Sequence, residues 1–245
     1  MPIIEHNKIT VQQQEEIEAF REHLSEIINQ LEEAGLNYRV VGSIGVAAHI
    51  LSAQKGIAFL PRHPDGSPRD IDILILEPPT KEILRKTENL LAFFGAHARS
   101  ESSYPEVSLV LPAPKNSLTM TGKDARAWIL PTSTSVLAVD EAGNFFKVYN
   151  SLSLLLNENM LLPITVELMG VKFPTLSPGV LAGLYLIRRA GFEFHDLEKI
   201  KMLAQLPHFK IPKEFCDFAR KIRETYPKQY RNFLIRSFLW YLFRG

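Results

Sequence analysis

Two acids, Asp70 and Asp72, stand two residues apart in the run Asp70-Ile-Asp-Ile-Leu-Ile-Leu76. The run is apolar and β-branched, which predicts a buried strand. Side chains alternate faces along a strand, so the two carboxylates point the same way. Side by side they repel each other. A hard divalent cation between them removes that cost, and Mg²⁺ takes such oxygens together with substrate phosphates. A plainer alternative stays open, in which Asp70 only begins the strand and Asp72 faces solvent. Against it stands the cost of an unpaired charge inside residues 71–76.

Upstream lies Tyr38-Arg-Val-Val-Gly-Ser-Ile-Gly-Val-Ala-Ala48. Tyr38–Val41 reads as a short buried strand. From Ile44 the apolar residues Ile44, Ala47, Ala48 and Leu51 recur at helical spacing. Gly42-Ser43 therefore sits where a strand feeds a helix N-terminus. Free backbone N–H groups and the positive end of the helix dipole meet there and favour an anion. Glycine lets a phosphate approach the backbone, and the Ser43 hydroxyl adds a hydrogen bond. An ordinary turn glycine is the plainer reading of Gly42. Taken together, the two stretches make a phosphate cradle beside a metal platform.

Gly-Ser at a helix start followed by Asp-x-Asp on a strand resembles the nucleotidyltransferase superfamily that includes DNA polymerase beta. Within it the chain looks closest to the small bacterial branch of aminoglycoside and toxin-type nucleotidyltransferases. The likeness rests on residues 38–77 and extends more loosely to about residue 205. The resemblance implies an α+β fold, with a mixed β-sheet flanked by helices in residues 1–175 and a helical C-terminal domain in 176–245. It implies transfer of a nucleoside monophosphate from a nucleoside triphosphate such as ATP to a hydroxyl acceptor. That acceptor is a small molecule, an RNA end or a protein side chain. Asp70 and Asp72 would hold Mg²⁺ or Mn²⁺, and Gly42 and Ser43 would bind the triphosphate. Arg69 precedes the aspartates as an arginine often does in the family. The alternative is a degenerate, non-catalytic member of the same fold that binds a nucleotide or a partner protein.

The family places a third carboxylate on a later strand beside the Asp-x-Asp strand. Glu106 is the first candidate, on the predicted strand 104–111, although Ser108 occupies the more family-like position. Asp140 is the second, in a predicted hairpin turn Asp140-Glu-Ala-Gly143. Glu167, in Ile164-Thr-Val-Glu-Leu168, is the third. The family also carries a phosphate-binding lysine on the helix after a Leu-Ser-Pro motif. Here Leu176-Ser-Pro178 is present, but the lysine position falls in Gly183-Leu-Tyr-Leu186. Arg188 or Arg189, one turn further on, is the expected substitute. Positive charge near a helix C-terminus is the plainer account of both.

Other elements must position these residues. Residues 11–34 read as an amphipathic helix with the stripe Ile17, Phe20, Leu24, Ile27, Ile28 and Leu31, ended by Gly35. Residues 56–69 read as a loop, with Arg62 and His63 adding positive charge near the phosphate site. Residues 80–94 read as a helix whose face is Ile83, Leu84, Leu90, Leu91 and Phe94, stopped at Gly95, with a strand over 96–103. A hairpin is expected from Ser135–Val139 and 144–149. Ser177 and Pro178 form an N-cap and first helical position. Asp196 reads as a second N-cap, and His195 carries no signal. Residues 212–225 and 227–244 are expected to complete a helical bundle.

Composition narrows the function classes. Among 245 residues, 46% are hydrophobic and 22% charged, ordinary for a globular protein. A net charge of +1 provides no basic field of the kind that drives nucleic-acid binding. Cys216 is the single cysteine, so an internal disulfide is excluded and a reducing compartment fits. The start Met1-Pro-Ile-Ile-Glu-His lacks the blocks of a signal peptide, and no uncharged stretch is long enough to span a bilayer. The expectation is a cytoplasmic protein.

Overall fold

The computed structural model describes residues 11–54, 70–77, 80–100, 107–112, 135–139, 145–149, 158–187, 194–217 and 220. Two compact units divide the chain: Met1–Pro112 with Leu162–Leu176, and Ala113–Leu161 with Ser177–Gly245. The fold is α+β, a mixed sheet flanked by helices.

In the first unit the elements are α1 (Val11–Glu33), β1 (Tyr38–Val41), α2 (Gly42–Gln54), β2 (Ile71–Ile75), α3 (Lys81–Ser100), β3 (Val107–Pro112), β6 (Ile164–Leu168) and β7 (Val171–Thr175). Their strands run in the order β3-β2-β1-β7-β6. β1 is antiparallel to β2 and parallel to β7, and β2 is parallel to β3. Asp72 stands opposite Val41 on one side and Ser108 on the other. All of β1 is buried, as are Ile71, Ile73, Leu74 and Ile75 of β2. These strands read as apolar runs because the sheet is covered on both faces around them.

The helix α1 buries Phe20, Leu24, Ile27, Ile28 and Leu31, while Ile17 is half-buried. Each such side chain taken out of water contributes about 1.5–3 kcal/mol. The helix ends as expected at Gly35, whose φ is +63°. Leu36 N–H donates to the Leu31 carbonyl and Gly35 N–H to the Glu32 carbonyl. That is the paired C-terminal bonding of a Schellman motif, and Leu36 and Leu31 are both buried. The turn delivers the chain straight into β1.

The α3 expectation needs two corrections. The helix does not stop at Gly95 but runs to Ser100, so 96–100 is helical and not strand. Gly95 does not adopt a positive φ. Interior glycine costs only about 1 kcal/mol against alanine, and the alanines at 96 and 98 continue the helix. Leu91 is 36% exposed, while Thr87, Leu90 and Phe94 are buried. The inner stripe therefore follows Thr87, whose Oγ1 donates to the Ile83 carbonyl at 3.0 Å and hides its polarity.

In the second unit β4 (Ser135–Val139) and β5 (Phe145–Tyr149) form the expected antiparallel pair. A 3-10 turn, Glu158–Leu161, is followed further along the chain by α4 (Pro178–Ile187) and α5 (Phe194–Leu203), and residues 213–217 are helical. Ser177 caps α4, accepting the Val180 N–H on Oγ at 3.4 Å and the Leu181 N–H on its carbonyl at 2.9 Å. Asp196 is the third residue of α5 and not its cap. Residues 227–244 lie outside the described residues. Among the described residues, no helix is long and apolar enough to cross a membrane.

Candidate functional site

The turn from β1 into α2 is made by Gly42, with φ +64°, in the left-handed region that favours glycine. A Cβ at Gly42 would lie 3.0 Å from Cγ and 3.1 Å from Cβ of Asp72, and nearer still to Oδ2. The Asp72 carboxyl group is thus seated against the Gly42 backbone, at the first residue of α2. Register explains the meeting: Asp72 is paired with Val41, the residue before Gly42. The two stretches singled out in the sequence, one about a phosphate and one about a metal, converge on one spot.

Gly42, Ser43, Asp70 and Asp72 are all half-buried, in contrast to the sealed apolar residues beside them. Asp70 precedes β2 by one residue and shares the Asp72 face by strand alternation. Two hard carboxylate oxygen donors, partly exposed beside a helix N-terminus, suit a divalent cation bound together with a phosphate. Among the described residues, no group of three or more His, Cys, Asp or Glu could hold a metal. Glu106 and Asp140 lie outside the described residues, as do Arg62, His63, Arg69, Arg188 and Arg189. Glu167 is described and is ruled out as a third ligand. It is exposed on β6, with β1 and β7 between it and β2. At about 4.8 Å per strand step that separation is roughly 14 Å.

Within residues 183–186, the stretch where the resembled family carries a lysine, Gly183 has no room for a side chain. A Cβ at Gly183 would lie 2.5 Å from Cγ of Phe215, whose side chain is fully buried. Gly179, one turn earlier, is pressed against the Lys210 backbone in the same way. A long side chain at 183 would displace that ring. The buried cation nearby is instead Lys199 on α5, with Nζ 4.7 Å above the Tyr185 ring.

Sequence reading also missed Arg39, buried within the apolar run of β1. Its Nη1 donates to Asn37 Oδ1 at 3.0 Å and to the Tyr38 carbonyl at 2.6 Å. Burial pulls its pKa down, opposed by the nearby Tyr38 and Glu77. Glu77 accepts the Asn37 N–H, and Leu76 N–H donates to the Asn37 carbonyl at 2.8 Å. This network locks the far end of β1 and β2 and so holds the register that sets Asp72 beside Gly42. An arginine amid Tyr-Arg-Val-Val was the available signal.

His49 on α2 is buried too, and its Nε2–H donates to the Leu176 carbonyl at 2.8 Å. Desolvation lowers its pKa, while the carbonyl partner raises it by less. The folded chain therefore resists a proton that the unfolded chain accepts below about pH 6.5. Stability from this residue is intact above that pH and falls as the pH drops through it, with a slope of at most about 1.4 kcal/mol per unit. Urea unfolding between pH 7.5 and 5 is expected to show the loss, and His49→Gln is expected to flatten it.

No family model matches the chain, and no curated protein matches it significantly. Among solved structures it is similar to an antigenic nucleotidyltransferase-like protein from Paracoccidioides brasiliensis. The identity is 16%, with 87% of this chain and 89% of that one covered and a TM-score of 0.40.

Proposed function

We propose that this chain is a metal-dependent nucleotidyltransferase that moves a nucleoside monophosphate from a nucleoside triphosphate to a hydroxyl acceptor. The observation that carries this reading is the seat of Asp72 against Gly42. It joins an acid pair on a strand to a glycine turn at a helix N-terminus. Asp70 and Asp72 would hold Mg²⁺ or Mn²⁺, which supplies neutralisation of phosphate charge and alignment of donor and acceptor. Gly42 leaves room for a phosphate at the backbone, and Ser43 offers a hydroxyl. Arg69 and Arg188 are proposed to add positive charge for the triphosphate. Glu106 is proposed as the group that orients or deprotonates the acceptor hydroxyl. Adjacent Val107 stands opposite Ile71, between the two aspartates.

A second reading, nucleotide binding without transfer, is favoured by one observation: no third acid joins Asp70 and Asp72 among the described residues. Calorimetry with each nucleoside triphosphate tests what the readings share. Binding is expected to tighten about tenfold or more with Mg²⁺ or Mn²⁺; equal affinity in chelator would sink the metal-dependent reading, and no binding of any triphosphate would sink both. Release of pyrophosphate with label transferred to an acceptor in a cell extract separates them. Glu106→Gln is expected to abolish transfer and spare binding.

A further inference from the structure

Two buried side chains outside the acid pair grip both arms of the Gly42 turn. Thr175, fully buried at the end of β7, donates from Oγ1 to the Val40 carbonyl at 2.6 Å. Val40 precedes Gly42 by two residues. The next residue in the chain, Leu176, accepts the His49 Nε2–H at 2.8 Å. His49 follows Gly42 by seven residues, two helical turns along α2 and roughly 10.5 Å. Consecutive residues 175 and 176 thus hold the strand before the turn and the helix after it. One turn beyond His49, Ser52 Oγ donates to the Glu167 carbonyl at 3.1 Å, fixing α2 to β6.

The position of these bonds is informative. The helix α2, Gly-Ser-Ile-Gly-Val-Ala-Ala-His-Ile-Leu-Ser-Ala-Gln, is apolar on nearly every side. Packing alone leaves such a helix free to rotate or slide, because apolar contacts are not directional. His49 and Ser52 each spend a polar group on a main-chain carbonyl of β7, its exit or β6. A glycine at the pivot makes the turn itself soft.

We infer that Thr175 and His49 are positioning residues that set the angle between β1 and α2, and with it the placing of Gly42 and Ser43 for a phosphate. They touch no substrate and act through the turn. The binding half of this inference rests on the nucleotide reading of the site; the mechanical half does not. Thr175→Val keeps the shape and removes the donor, while Thr175→Ser restores it. His49→Leu and His49→Gln form a second such pair.

The test uses the full chain and two readouts. Hydrogen exchange is expected to speed about tenfold at the amides of residues 46–49, the first hydrogen-bonded turn of α2, in Thr175→Val and His49→Leu, with α1 unchanged. Calorimetry is expected to show affinity for Mg²⁺–ATP reduced about tenfold, and restored to within about twofold by Thr175→Ser and His49→Gln. Unchanged or uniformly faster exchange overturns the clamp. Local loosening with wild-type affinity overturns its role in binding. If the wild-type chain itself ignores triphosphates in the presence of Mg²⁺ or Mn²⁺, the nucleotide reading falls and takes the binding half with it. The exchange readout then decides the clamp alone.

Discussion

Gly42→Val is expected to abolish measurable triphosphate binding. Two penalties act at one atom. A residue with a Cβ at φ +64° pays about 1–2 kcal/mol in backbone strain. The same Cβ would meet Asp72, whose Cγ lies 3.0 Å from its ideal position. Displacing that carboxyl from a packed neighbourhood costs about 1–3 kcal/mol more. Together the stability loss is about 2–5 kcal/mol. Affinity falls by about a hundredfold or more, because the substitution fills the proposed place of phosphate approach and moves a proposed metal ligand at once. Gly42→Ala sharpens the test, since the offending atom is the Cβ itself. It is expected to lose most of the same affinity, measured by calorimetry well below the melting point of each variant. Normal binding by both variants would place the cradle elsewhere.

How much of this was legible in the sequence differs by element. β1, β2 and the start of α2 announced themselves through apolar run, alternation and helical spacing, each a local signal. Gly35 and Ser177 likewise read correctly as helix stop and cap, because capping chemistry is carried by neighbours in sequence. Gly95 misled because a glycine stops a helix only where the chain needs a left-handed residue, and that need is tertiary. The same limit applies at the site. Spacing could put Asp70 and Asp72 on one face, but the contact between Asp72 and Gly42 depends on the β1–β2 register. That register is held in part by Arg39, Asn37 and Glu77 at the other end of the strands. Thr175 and His49 gave no sequence signal at all. A buried threonine and a buried histidine look ordinary until the chain brings residues 175 and 176 back to the first strand and helix. Gly183 shows the converse case: it reads as an ordinary helix glycine in sequence, and only the fold shows that the Phe215 ring leaves no room there for a side chain.

Asp72→Asn separates a metal platform from a merely acidic strand. The amide keeps the size and planarity of the carboxyl group, so the seat against Gly42 is retained. Two effects on stability oppose each other. Removing the charge relieves repulsion from Asp70 on the same strand face. It also removes a negative group from the N-terminus of α2, where such a group contributes about 0.3–1 kcal/mol. The net change is expected to stay within about 1 kcal/mol, so the variant folds and its melting curve overlays that of the wild type to within a few degrees. Metal dependence behaves differently, because an amide oxygen carries no net charge with which to hold a divalent cation against Asp70. The ratio of triphosphate affinity with Mg²⁺ to affinity in chelator is therefore expected to fall from about tenfold or more to near one. A wild-type ratio in Asp72→Asn would mean that any metal is held by other groups. A ratio near one in the wild type as well would mean that Asp70 and Asp72 hold no metal, and that the glycine turn binds whatever it binds without one.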